Sequence, residues 1–169
     1  MKRFLFLAML IFWAPGISLA ETVGKGDKYL NFTLEGLDGK KVDLSSHAGK
    51  VIFLDIWASW CAPCAKEMPF LVDAYEKYKD RGFVIVAVSV DDKKENIDKF
   101  FKRRLKGEKP SFPVLHDPDK KVGELYKVIG MPSTVIIGKD GKITYGPKVG
   151  FEESHIAELT KEIESALAQ

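Results

Sequence analysis

Two apolar runs of equal length constrain this chain more than any other feature. Val51-Ile52-Phe53-Leu54-Asp55-Ile56 and Phe83-Val84-Ile85-Val86-Ala87-Val88 are each nearly continuous in apolar character, the pattern of strands buried on both faces. Between them Met68, Leu71, Val72, Tyr75 and Tyr78 recur at helical spacing, which predicts a helix from about Ala62 to Lys79. Pro63 suits its first turn, where the missing N–H would have no partner, and Pro69 is expected to kink it. A strand, a crossover helix and a second strand place the two strands parallel and side by side. Both faces of such a sheet must be covered, so the expected architecture is a three-layer α/β fold with a mixed sheet.

The flanking segments fit that frame. Phe32 and Leu34 alternate with polar residues, Asp38-Gly39 makes a turn, and Val42 with Leu44 resume the alternation, which predicts an N-terminal hairpin. Asp92 to Lys106 reads as a helix with Phe100, Phe101 and Leu105 inward, and Lys120 to Lys127 as a shorter one after a loop over 112–118. A second hairpin joins Val135-Ile136-Ile137 to Ile143-Thr144-Tyr145 through Lys139-Asp140-Gly141-Lys142. A closing helix carries Ile156, Leu159, Ile163 and Leu167 on one face and starts near Glu152 and Glu153, where the helix dipole favours acids.

With 169 residues, 46% apolar and 30% charged, the composition is that of one ordinary domain. A net charge of +2 is too small to argue for nucleic acid as a partner. Lys2-Arg3 precede an unbroken apolar run from Phe4 to Ala14, followed by Pro15-Gly16 and Ser18-Leu19-Ala20. This predicts a signal peptide over residues 1–20, cut after Ala20, with 21–169 as a single exported domain. The run falls short of the roughly 20 residues that span a bilayer, so an uncleaved anchor is the lesser alternative.

Export sharpens the meaning of Cys61 and Cys64, which are the only cysteines. At the start of a helix their Cα atoms would stand about 5–6 Å apart, inside the range a disulfide requires. A bridge closing so short a loop constrains the unfolded chain little, which argues against a structural staple and for a reversible dithiol. Zinc would need His47, His116 or His155, none at a paired ligand spacing, so no metal and no cofactor is expected.

Trp60-Cys61-Ala62-Pro63-Cys64 after a strand ending Asp55-Ile56-Trp57-Ala58-Ser59, with Gly130-Met131-Pro132 ahead of a hairpin, resembles the thioredoxin fold. The added N-terminal hairpin, Glu67 three residues past Cys64, and the stretch from Phe112-Pro113-Val114 to Gly130-Met131-Pro132 resemble its exported TlpA/ResA/CcmG-like branch. The resemblance spans roughly Gly24 to the C-terminus. It implies a thiol:disulfide oxidoreductase that reduces protein disulfides, including those of apocytochrome c, and receives electrons from a membrane thiol donor; a monomer is expected. It further implies a cis bond before Pro132 and a partner that meets Trp60, Ala62, Pro63, Met131 and Pro132.

Within that frame the residues divide the chemistry. The helix N-terminus favours a thiolate at Cys61, the attacking sulfur, and leaves Cys64 to resolve the mixed disulfide. Asp55, in an apolar strand, and Glu67, one turn past Cys64, are candidate proton acceptors; the plainer readings are a structural hydrogen bond for Asp55 and a solvated charge for Glu67. Trp57 is expected to be buried. The basic cluster Lys99, Lys102, Arg103, Arg104, Lys106 and Lys109 reads first as a solvated helix face and otherwise as a dock for an acidic partner or a lipid surface. A disulfide oxidase or isomerase, and a redox-inert binding module or copper chaperone, stand as the alternative functions.

Overall fold

The structure, a computed structural model, describes residues 23–169; the expected signal peptide lies outside the described residues. The two apolar runs become β3 (Val51–Trp57) and β4 (Phe83–Ser89), parallel and in register from Val51 opposite Phe83 to Trp57 opposite Ser89. All seven residues of each are buried, so the sheet is covered on both faces, as a three-layer fold requires. The crossover between them is α1 (Ala62–Tyr78), which continues through Pro69.

Around this unit β1 (Thr33–Gly36), β2 (Lys41–Asp43), β5 (Val114–His116), β6 (Ser133–Ile137) and β7 (Ile143–Val149) complete one sheet in the order β2-β1-β5-β4-β3-β6-β7. The N-terminal hairpin forms as expected but ends at Asp43, whose carboxylate accepts the Ser45 N–H at 2.9 Å and starts a 3-10 turn that takes Leu44 out of the strand. The segment over 112–118, expected to be a loop, contains β5, which pairs parallel with β4 and antiparallel with β1. Three residues between Pro113 and Pro118 are too few to display a period, so β5 owes its existence to the open edges on either side.

The remaining helices are α2 (Lys94–Arg104), α3 (Lys121–Leu125) and α4 (Ile156–Ala168), the first two shorter at both ends than their sequence patterns suggest. Leu105 lies one residue past α2 and is half-buried. In α4, Leu159, Ile163 and Leu167 face the core, whereas Ile156 is exposed and Ala166 takes a core position. Tyr78 of α1 donates its hydroxyl to Glu164 of α4 at 2.6 Å, joining these two helices. Trp57, fully buried as expected, packs its ring 5.0 Å from Phe100 and 5.7 Å from Phe101 of α2. Among the described residues no helix is long and apolar enough to cross a membrane.

One glycine bears on the site. Gly146 of β7 has φ +86°, and a Cβ there would fall 2.1 Å from the Thr134 carbonyl oxygen. Only glycine lets β7 approach β6 this closely, beside the residue that contacts Glu67.

Candidate active site

The end of β3 delivers the chain to the cysteines. Cys61 caps the N-terminus of α1 with extended backbone, and its sulfur accepts the Cys64 N–H at 3.2 Å. That donor, with the other unpaired N–H groups of the first turn, favours negative charge on the Cys61 sulfur. The two sulfurs are bonded to each other, with Cα atoms 5.3 Å apart, inside the interval expected from helix geometry. Their accessibility differs: Cys61 is 7% exposed and Cys64 only 1%. An incoming group therefore meets Cys61 first.

One turn along α1 from Cys64 the fold brings together two carboxyls from different elements. Asp55 on β3 lies directly opposite Thr134 on β6, and Thr134 donates its hydroxyl to Glu67 Oε1 of α1 at 3.4 Å. Asp55 and Glu67 are each 1% exposed, and Asp55 Oδ1 and Glu67 Oε2 have no hydrogen-bond partner among the described residues. Burial pushes the Asp55 carboxyl up to about 8. Glu67 is raised well above the usual carboxylate range by burial and then by the neighbouring Asp55 charge, against a smaller opposing effect of the Thr134 hydroxyl. The reading of Glu67 as a solvated charge is therefore wrong: α1 turns this residue into the protein, one turn from Cys64. Asp55, raised to about 8, is matched to proton exchange with a thiol, and no cation holds either carboxyl ionised.

Just ahead of β6, Met131–Pro132 is a cis peptide, as the resemblance implied. Its position follows from the register, because Ser133 pairs with Ile56 and so sets Pro132 beside the end of β3. The Pro132 carbonyl accepts the Gly150 N–H at 2.8 Å. No described hydrogen bond uses the Met131 backbone, which leaves it available to an extended segment lying across the site. Ala62 and Pro63 are exposed, and Trp60 is 66% exposed at the rim.

A buried bracket, not anticipated from the sequence, holds the loop that carries Trp60. Asp91, 0% exposed, accepts the Ser59 N–H at 2.8 Å, the Ser59 hydroxyl at 2.6 Å and the Ser89 hydroxyl at 2.8 Å. The only sequence signal was a carboxylate two residues past the end of a buried strand, which by itself names no partner. Asp91→Ala would strand these buried donors and is expected to cost roughly 2–4 kcal/mol of stability. Chemical denaturation of the oxidised protein checks it, with a loss below about 1 kcal/mol contradicting the bracket.

Residues 24–163 match the Redoxin family model. The ResA thiol-disulfide oxidoreductase of Bacillus subtilis is 37% identical over 123 residues, 73% of this chain and 66% of that protein. ResA of Bacillus cereus is 35% identical over 147 residues, 86% of this chain and 82% of the relative. In three dimensions, the crystal structure of a Chlorobium tepidum protein described as a DsbE thiol:disulfide interchange protein superposes with a TM-score of 0.79 at 38% identity, covering 86% of this chain and 99% of that one. The relatives share with this chain a thioredoxin-like mixed sheet, and here its central strand ends at a bonded cysteine pair. The chain thus belongs to the Redoxin family, as a thiol-disulfide oxidoreductase of the ResA/DsbE type.

Proposed function

We propose that this protein is exported and reduces disulfides in other proteins, with Cys61 as nucleophile and Cys64 as resolving thiol. In the reduced protein the Cys61 thiolate attacks one sulfur of a partner disulfide and the partner's other sulfur leaves as a thiolate. Cys64 then gives its proton to the ionised form of the Asp55/Glu67 pair, whose share grows as pH rises, and attacks the Cys61 sulfur. The Cys61–Cys64 bond forms, the mixed disulfide breaks, and the second partner sulfur leaves as a thiolate. Two electrons pass from the dithiol to the partner, and a membrane thiol donor restores the dithiol. Trp60, Ala62, Pro63, Met131 and Pro132 form the surface on which the partner segment lies, and the protein acts as a monomer. Residues 1–20 direct export and are removed, leaving 21–169 as one domain.

The observation that carries this reading is the asymmetry of the pair. One sulfur sits at a helix N-terminus within reach of solvent, and the other is buried one helical turn from a carboxyl pair whose proton affinity burial raises. The apocytochrome c cysteines are the partner class to test first, on the strength of the family resemblance. Equilibration with a dithiol buffer, together with alkylation of the cysteines in intact cells, decides the direction. A potential nearer about −270 mV than about −120 mV and a pair reduced in the cell are expected. A pair found oxidised at the higher potential overturns the reductive direction.

A further inference from the structure

The surface around Trp60 has two unlike sides. On one, Trp60 borders a groove of about 520 Å³ whose apolar wall is Ile56, Val90, Ile129 and Met131, with Lys120, Glu124 and Lys127 also lining it, and Ile129 is 93% exposed. On the other, Trp60 and Ser59 share a hollow of about 440 Å³ with Phe100, Arg103 and Arg104. Both arginines are exposed, and neither is paired with a carboxylate among the described residues. Lys94 pairs with Glu35 and Lys109 with Asp98 at 2.9 Å, whereas Lys99, Lys102 and Lys106 are, like the two arginines, without a salt bridge among the described residues but do not line this hollow. The nearest buried acid, Asp91, is turned inward and occupied by Ser59 and Ser89.

A positive charge at the end of α2 is favoured by the helix dipole wherever it points. The dipole does not account for two guanidinium groups that line one hollow with the exposed tryptophan beside Cys61. Guanidinium presents a planar fork matched to carboxylate, and at an exposed rim it acts chiefly on encounter rate and partner choice. The net charge of +2 is too small to give the whole molecule this preference, so the effect is local.

We propose that these two sides make one selective docking surface for a protein segment bearing an apolar residue on one flank of its reactive cysteine and acidic residues on the other. The apolar side chain enters the Ile129–Met131 groove, and the acids meet Arg103 and Arg104. The groove and the hollow share Trp60, the residue before Cys61, so the occupant is the substrate polypeptide itself and not a separate regulator. This assignment rests on the disulfide-exchange reading above.

The test uses the reduced full-length protein and synthetic peptides that carry one cysteine in a mixed disulfide and differ only in flanking charge, followed by stopped-flow tryptophan fluorescence. The acidic peptide is expected to react roughly tenfold faster than its basic counterpart at low salt, with the ratio shrinking as ionic strength rises. Arg103→Glu combined with Arg104→Glu is expected to invert the ranking, and Ile129→Ser to slow peptides with an apolar flank more than those without one. Equal rates for acidic and basic peptides, or a ratio unmoved by the double variant, overturn the proposal. So does an effect of the double variant confined to binding of anionic phospholipid vesicles. Reaction with an uncharged low-mass disulfide tells the two readings apart: if it fails, disulfide exchange itself falls, and if it proceeds without charge preference, only the docking surface does.

Discussion

Cys64→Ser is expected to lower turnover with a protein disulfide at least about a thousandfold while leaving the first chemical step intact. The variant retains Cys61 at the helix N-cap and its donor from the residue 64 N–H, so the sulfur that meets solvent still attacks. It lacks the buried second sulfur, so the mixed disulfide accumulates and is visible as an added mass on Cys61. Cys61→Ser removes the accessible sulfur and leaves a thiol only 1% exposed, so neither turnover nor the adduct is expected. Mass spectrometry of both variants after exposure to one substrate separates the roles. Adducts trapped through Cys64 in Cys61→Ser, and none in the reverse variant, would exchange the two assignments.

The second large effect is on stability and follows from the carboxyl pair. Both carboxyls have folded pKa values raised above their unfolded values, so from about pH 4 upward, to about 8 for Asp55, the native state holds protons that the unfolded chain has released. Stability is then highest below the unfolded pKa and declines as pH rises through the folded one. The slope reaches about 1.4 kcal/mol per pH unit for each proton retained. Asp55→Asn and Glu67→Gln keep the shape and remove the ionisation, so each should flatten the slope and stabilise the protein near pH 8 relative to the parent. The same variants should flatten the pH profile of Cys64 alkylation in the reduced protein, because the thiol loses its proton acceptor. Equilibrium denaturation of the oxidised protein across this range supplies the check. A parent whose stability is level from pH 5 to 8 would mean that the pair is already ionised in the folded state.

How much was legible beforehand varies with the range of the interactions. The strands β3 and β4 and the helix α1 were readable because their burial is written as continuous or periodic apolar character within one segment. The cysteines were readable because a spacing of three on a helix is itself a geometric statement. Strand β5 was not, since a three-residue strand exists only by pairing with β1 and β4 and shows no local pattern. Ile156 was misplaced for a related reason: helical periodicity gives the apolar face but not where the neighbouring elements stop covering it.

The site shows the same division. The amino-acid sequence alone determined the chemistry on hand: two thiols one turn apart, an acid in a buried strand, an acid on the following helix turn, and a proline before the next hairpin. Tertiary structure decided what these groups are to one another. The register of β3 against β6 places Asp55 opposite Thr134 and Met131–Pro132 beside the end of β3, and the turn of α1 brings Glu67 to the Thr134 hydroxyl. The packing at the end of α2 sets Arg103 and Arg104 beside Trp60. The physical reason is that proton affinity and electrostatic complementarity depend on burial and on neighbours across tens of residues of chain, which no local periodicity encodes.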